Sequence, residues 1–197
     1  WAAFVESAHA NDESVLQSSK KVAIMGGGSF GTAMATLLAR NKADLDVVIL
    51  MRNEDDARAL NEEHRNVKYL PKYSLPVNIR ASTDAKEALA GCDFIIHAVP
   101  VQQSRKFLAG VKDYIDPKTP MLCLSKGLET GTCDMMSEII PSGLGRDQPL
   151  AVLSGPTFAV ELMQGLPTTI VAASEDESLA ISVQQLFGSS CLRVNTS

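Results

Sequence analysis

Seven short apolar runs punctuate the chain, at residues 22–25, 47–50, 94–96, 121–124, 151–153, 170–172 and 192–194. Apart from Leu192-Arg193-Val194 they are continuous rather than alternating, and they are rich in Val, Ile and Leu, the pattern of strands buried on both faces of a parallel sheet. Helical spacing fills several of the gaps. Phe30, Ala33, Met34, Leu37 and Leu38 fall on one helical stripe, and Leu179, Val183, Leu186 and Phe187 on another. Asp84-x-x-Glu87 and Ser174-x-x-Glu177 have the form of capping boxes, and Glu54, Asp55 and Asp56 suit the first turn of a helix whose dipole they complement. Strand and helix in alternation predict right-handed crossovers and an α/β fold, a doubly wound and mostly parallel sheet over residues 20–197.

Residues 1–19 read differently. Trp1, Phe4, Val5 and Ala8 stand at helical spacing, and polar Asn11, Asp12, Glu13, Ser18 and Ser19 then lead into Lys20. The segment reads as an N-terminal extension, either a linker from an upstream fused domain or a remnant left by trimming. Glu6, Asp12 and Glu13 are out of keeping with an intact transit peptide, which is poor in acids.

Composition narrows the function. With 197 residues, 45% of them hydrophobic, the chain can build one good-sized core. A net charge of −5 is a poor basis for holding a phosphate backbone, so no nucleic-acid partner is expected. No apolar run approaches the roughly 20 residues that cross a bilayer, so no membrane partner is expected either. The four cysteines, Cys92, Cys123, Cys133 and Cys191, form no C-x-x-C pair and read as reduced thiols, with neither a metal cluster nor a redox dithiol.

Between the first apolar run and the first helical stripe lies Gly26-Gly27-Gly28-Ser29-Phe30-Gly31, a G-x-G-x-x-G loop in the strand-to-helix context the motif requires. Gly26 suits the tight turn, Gly28 the approach of backbone N–H groups to a pyrophosphate, and Gly31 the close packing of helix on strand. The helix N-terminus adds partial positive charge. No Lys-Ser or Lys-Thr pair follows, so the loop speaks for a dinucleotide rather than a nucleoside triphosphate.

An acid about 20 residues beyond the glycines would hold the ribose hydroxyls of NAD. The chain instead has Met51-Arg52-Asn53 there. A guanidinium at Arg52 can pair with a 2′-phosphate, which tilts the expectation towards NADPH over NADH. A solvated loop cation is the plainer alternative.

Ligands of a doubly wound sheet gather beyond the carboxyl ends of its strands, where three further loops are distinctive. They begin Val99-Pro100-Val101-Gln102, Leu124-Ser125-Lys126-Gly127-Leu128-Glu129 and Leu153-Ser154-Gly155-Pro156-Thr157-Phe158-Ala159-Val160-Glu161. With the glycine loop and Asn66-Val67-Lys68-Tyr69-Leu70-Pro71, they closely resemble the soluble, nicotinamide-dependent glycerol-3-phosphate dehydrogenases. The resemblance runs from about Lys20 to the end of the chain. The blocks at 98–102 and 192–197 look most like the plastid members, which implies a plastid stroma location; otherwise the expectation is cytoplasmic.

The resemblance implies an oxidoreductase moving a hydride between NAD(P)H and dihydroxyacetone phosphate to give sn-glycerol 3-phosphate, for glycerolipid or glycerol synthesis. Motif for motif, Ser29, Phe30, Arg52, Pro100 and Ala159 would touch the cofactor, with Tyr69 packed beside it. Lys126 would touch cofactor and substrate, and Gly155 and Thr157 the substrate. Lys126 offers an ammonium to a carbonyl or a phosphate dianion, and Thr157 with the N–H groups near Gly155 is expected to open a helix that holds an anion. The plainer alternatives are a turn lysine and an N-cap threonine. His97, inside an apolar run, is expected to be a satisfied core histidine rather than a general acid.

The family's second, all-helical domain carries the lysine that protonates the carbonyl and would form the homo-oligomer, and its Ala-Leu-Lys-Asn-like block does not occur in this chain. The expectation is therefore a cofactor-binding domain with little turnover by itself. Two other readings remain open: a related reductase with a different substrate, such as a ketopantoate or 6-phosphogluconate reductase relative, and a noncatalytic NADPH-sensing module.

Overall fold

A computed structural model describes residues 18–197. The segment read as an extension thus lies almost wholly outside the described residues. In chain order the elements are β1 (Lys21–Met25), α1 (Ser29–Asn41), β2 (Asp46–Leu50), α2 (Glu54–Glu63), β3 (Ile79–Ser82), α3 (Ala85–Leu89), β4 (Phe94–His97), α4 (Val101–Val111), β5 (Met121–Cys123), α5 (Met136–Leu144), β6 (Leu150–Ser154), α6 (Ala159–Gln164), β7 (Thr168–Ser174), α7 (Glu177–Phe187) and β8 (Leu192–Thr196). A 3₁₀ turn, Lys112–Tyr114, follows α4.

The strands form one eight-stranded sheet in the order β3-β2-β1-β4-β5-β6-β7-β8. Neighbours from β3 through β6 are parallel, as are β7 and β8, while β6 and β7 pair antiparallel. Strand order reverses at β1, so the crevice between the ends of β1 and β4 is the switch point at which such sheets bind ligands.

Alternate residues of each central strand feed two cores. Val22, Ile24, Phe94 and Ile96 face a layer holding Met34 and Leu38 of α1, Leu60 of α2, and Val183 and Phe187 of α7. Ala23, Met25 and Ile95 face Leu89 of α3, Leu108 of α4 and Ile140 of α5. Residues 22–25 have no exposed surface, which is why the first run carries no polar alternation. Both expected helical stripes lie in the first layer.

Four local expectations change. Strand β3 was absent from the apolar runs because it is a sheet edge, where Arg80 can stand between Ile79 and Ala81 while its guanidinium pairs with Asp46 and Glu87. Asp84 does cap α3, accepting from the N–H groups of Lys86 and Glu87, but Glu87 turns away to Arg80 and Ser82 instead of closing a capping box. Ser174 ends β7 and caps nothing; Asp176 is the N-cap of α7, and its carboxylate accepts from the N–H groups of Ser178 and Leu179. Val101 and Gln102, read as loop, open α4 behind Pro100, whose fixed φ suits the entry to a helix. The acids 54–56 do form the first turn of α2, with Asn53 capping through Asp56 N.

Candidate active site

The glycine loop leaves β1 at Gly26 with φ of +113°, a conformation strained for any side chain, and a Cβ there would lie 2.8 Å from the carbonyl oxygen of Ala98. Gly31, in the first turn of α1, is pressed against the Gly26 carbonyl and the Ala98 methyl. These two glycines let strand, loop and helix converge. Gly28 differs: among the described residues nothing lies within 4 Å of where its Cβ would stand. It is the N-cap of the 13-residue α1, which has no side-chain cap and no acid in its first turn. Uncapped N–H groups facing open space at a helix N-terminus fit a pyrophosphate. The donor set therefore suits the dinucleotide that the motif predicts.

Asn66 fixes this loop from the side. Its buried amide donates to Gly27 O at 3.0 Å and to Thr32 Oγ1 at 2.8 Å, while its Oδ1 accepts from Tyr69 N. Tyr69, expected beside the cofactor, follows in the same turn, 47% exposed, with Lys68 Nζ 5.5 Å from its ring centre. Met51 packs where a Gly27 side chain would be, so Arg52 emerges just beyond the loop. Arg52 is exposed, and among the described residues no hydrogen bond or ion pair engages it.

A cleft of about 400 Å³ opens at the switch point, lined by Phe30, the stretch 98–102 and the stretch 124–128. Pro100 forms part of its wall. Lys126 Nζ stands 5.6 Å from the centre of the Phe30 ring and donates to Gly155 O at 2.5 Å. Phe30, Pro100, Lys126 and Gly155, which lie far apart in sequence, are thus brought together at the carboxyl ends of β1, β4, β5 and β6.

Two expected substrate residues sit differently. The helix after Gly155 begins only at Ala159, with Phe158 as its N-cap, because Gly155 at φ +145° and Pro156 turn the chain first. Thr157 is buried, does not cap, and has its hydroxyl 3.4 Å from that of Thr168 at the start of β7. Ala159 packs against the same core as Phe30, at the head of a helix lying along α1.

His97 has no exposed surface, and burial pushes its pKa down to about 4. His97 Nε2 and Ser104 Oγ share a hydrogen bond at 2.8 Å, and the carbonyls of Val99 and Pro100 also lie within reach of the Ser104 hydroxyl. Nδ1 is buried without a partner among the described residues. His97 is a core residue as expected, but only half satisfied. All four cysteines are free, and burial lifts the thiols of Cys92 and Cys123 to about 11.

Sequence reasoning quoted Asn66, Gln102 and Ser125 only as members of their blocks and gave them no role, and it did not reach Arg105. Gln102 Nε2 donates to Leu128 O and its Oε1 accepts from Thr130 N. Arg105 makes a two-point pair with Glu129, at 3.2 and 2.7 Å, and reaches Asp134 at 2.8 Å. That guanidinium holds the Glu129 carboxyl below the usual range. Ser125 Oγ donates to Val99 O at 2.5 Å. The one available signal was the Asn66-x-x-Tyr69 spacing, which suits a side-chain-capped turn.

A switch-point cleft, a glycine loop opening a long helix, and a lysine standing over the cleft wall define a dinucleotide-binding domain of the dehydrogenase class. The chain belongs to the NAD-dependent glycerol-3-phosphate dehydrogenases, whose N-terminal family model matches residues 21–180. It is 53% identical over 188 residues to the chloroplastic glycerol-3-phosphate dehydrogenase [NAD(+)] of Oryza sativa subsp. japonica, covering 95% of this chain and 43% of that protein. With the second chloroplastic glycerol-3-phosphate dehydrogenase [NAD(+)] of Arabidopsis thaliana it shares 54% over 184 residues, 93% of this chain and 44% of that one. The crystal structure of glycerol-3-phosphate dehydrogenase from Coxiella burnetii superposes with a TM-score of 0.83 at 31% identity, over 90% of this chain and 54% of that chain. The chain thus spans about half the length of the relatives it matches. The family uses NAD(P)H.

Proposed function

We propose that this protein supplies the cofactor half, and one wall of the substrate cleft, of an enzyme that reduces dihydroxyacetone phosphate to sn-glycerol 3-phosphate. The observation that carries the reading is the meeting of Lys126, Phe30 and Gly155 at the mouth of the switch-point cleft, beside the glycine loop. Membership of the family makes this the reading to prefer over a differently specific reductase or a cofactor sensor. The chloroplastic relatives support a plastid location for the parent protein.

The bound nicotinamide supplies the hydride. The chain's own residues do the rest of what falls to this half. The N–H groups at Gly28 and the start of α1 hold the pyrophosphate, and Arg52 takes the 2′-phosphate where one is present. Phe30, Pro100 and the rest of the chain at 98–102 line the cleft and would shield a nicotinamide held there from water. Lys126 exchanges the Gly155 carbonyl for the ketone oxygen or the phosphate of the substrate, where its charge stabilises developing negative charge. His97 takes no part in proton transfer: it is walled off, and burial keeps it neutral. The proton for the alkoxide falls to the lysine that the family carries in its helical domain.

Titrating the chain with NADPH and NADH, followed by nicotinamide fluorescence, tests the cofactor half. Assaying NADPH oxidation with dihydroxyacetone phosphate and with ketopantoate, and NADP⁺ reduction with 6-phosphogluconate, in the full-length protein that contains this chain tests the substrate. Turnover confined to a substrate other than dihydroxyacetone phosphate would overturn the reading.

A further inference from the structure

Lys126 lies on a segment with no regular structure, residues 124–135, yet its ammonium stands at one defined place. Something must hold that segment, because a lysine side chain carries much rotamer entropy and a loose backbone would add to what binding has to freeze. The sheet grips it only on the near side, where Leu124 N donates to His97 O. From there on the anchors come from one helix and the loop that enters it. Ser125 Oγ donates to Val99 O, just before α4. Gln102, in the first turn of α4, clasps Leu128 O and Thr130 N with the two ends of its amide, as a neighbouring strand would. Arg105, one turn on, takes both oxygens of Glu129, then Asp134 and the Ser142 hydroxyl of α5.

Lys126 is thereby bracketed, with Ser125 fixed before it and Leu128 to Thr130 fixed after it. Gly127, at φ +108°, makes the sharp turn between. Pro100, Val101 and Gln102 also line the cleft, so the helix that shapes the cleft wall is the one that aims the lysine. The Arg105–Glu129 pair is half-buried and bidentate, which gives it a directional hold that a single surface ion pair lacks.

We propose that Gln102 and Arg105 are positioning residues that hold the Lys126 ammonium over the Phe30 ring and against Gly155. The proposal rests on the reading of Lys126 as the substrate-side cation for its consequence, though not for its test. Neither residue touches the reacting atoms. Both act through the backbone of 128–130.

Reductive ¹³C-methylation of the lysines reads the position of each amine directly, and Lys126→Arg identifies the Lys126 signal by its loss. In the native chain that signal is expected to stand apart from those of exposed lysines, displaced by the Phe30 ring, and Phe30→Leu removes the displacement. Gln102→Ala and Arg105→Ala should each bring the signal back among the exposed lysines, while Arg105→Lys, which keeps a cation towards Glu129, restores part of the displacement. Lys106→Ala, an exposed change on the same helix, should leave it in place. Gln102 is exposed, so its truncation keeps the test usable if Arg105→Ala fails to fold, which circular dichroism reports. A Lys126 signal that is undisplaced in the native chain, or that stays displaced in both alanine variants, overturns the proposal. A parallel NADPH titration separates the two ideas: a responsive Lys126 signal in a chain that binds no dinucleotide supports the positioning role and sinks the functional reading alone.

Discussion

The amide of Asn66 donates to the hydroxyl of Thr32 at 2.8 Å, across 34 residues, and with its other hydrogen to the carbonyl of Gly27. A side chain from the loop after α2 therefore sets the glycine turn of β1 and the first turn of α1 together. Because Asn66 is only 2% exposed, water cannot take its place. Asn66→Ala should leave a buried carbonyl and hydroxyl short of a donor, loosen the turn and weaken NAD(P)H binding roughly tenfold, the equivalent of about 1.4 kcal/mol. Titration of the variant checks this, and unaltered affinity would show that the turn holds without it.

The two glycines at the head of α1 should fail in different ways. A side chain at Gly28 meets only open space, so Gly28→Val should fold normally and lose dinucleotide binding, since the branched chain occupies the room a pyrophosphate needs. Gly31→Val drives a side chain into the Gly26 carbonyl and the Ala98 methyl, so it should lower the melting temperature as well. Thermal unfolding beside NADPH titration separates them. Retained affinity in Gly28→Val would make the loop merely a turn.

How legible the protein was follows from which interactions are local. Strands β1, β2, β4 and β5 were readable because burial on both sheet faces leaves a continuous apolar run, whereas β3, an edge whose Arg80 reaches Asp46 and Glu87, left none. Glycine spacing announced the turn because Gly26 must take positive φ and Gly31 must accept a backbone contact, both properties of a single position. The roles of Asn66, Gln102 and Arg105 were invisible for the opposite reason. Each works on backbone or side chains brought near by the fold, and an exposed Gln on a helix face looks the same whether or not a loop lies across it. Thr157 and Gly155 were found through their block, yet the helix expected at Gly155 begins later because the turn at Gly155 and Pro156 intervenes.

Arg52 should set cofactor preference. It is exposed and unengaged at the end of β2, in the place where an acid would hold the ribose hydroxyls of NAD and repel a 2′-phosphate. NADPH should bind more tightly than NADH, and Arg52→Ala should cut NADPH affinity about tenfold while leaving NADH nearly unchanged. Raising the salt concentration should narrow the gap, since the guanidinium is open to solvent. Calorimetric titration of both cofactors decides it. Equal affinities in the native chain would return Arg52 to the role of a solvated loop cation.

The buried imidazole of His97 predicts a pH dependence of stability. Its pKa is about 4 in the fold against 6.5 when free, because burial penalises the charged form. Above pH 6.5 both states are neutral there and the group is silent. As pH falls from 6.5 towards 4 the unfolded chain takes up a proton that the fold refuses, so stability is lost across that window and the loss levels off below it. The full loss is about 3 kcal/mol. His97→Gln, which keeps a hydrogen-bonding group for Ser104, should flatten urea-unfolding midpoints between pH 7 and 4.5 relative to the native chain. Parallel slopes in the two proteins would place the acid sensitivity elsewhere.

The final prediction concerns turnover. A hydride delivered to a ketone leaves an alkoxide that needs a proton, and general acid catalysis of that kind is commonly worth about 10² to 10⁴ in rate. Among the described residues that line or border the cleft, His97 is sealed and neutral, and Lys126, which donates to Gly155 O, is on the proposed reading the group that orients the carbonyl or phosphate. The 197-residue chain should therefore bind NAD(P)H yet oxidise it with dihydroxyacetone phosphate at a rate near background. Joining it to the helical domain of a chloroplastic relative should restore activity. In that restored enzyme Lys126→Ala should lower kcat and raise KM for dihydroxyacetone phosphate together, since the ammonium acts on bound substrate and on the transition state alike. Lys126→Arg should recover part of the binding but less of the rate, because a planar guanidinium cannot place one point charge against the developing alkoxide. Spectrophotometric NADPH oxidation across these proteins measures each step. If the short chain alone turns over at about 1 s⁻¹ or faster, an ordinary enzymatic rate, then a proton donor lies within it and the division of labour between two domains is wrong.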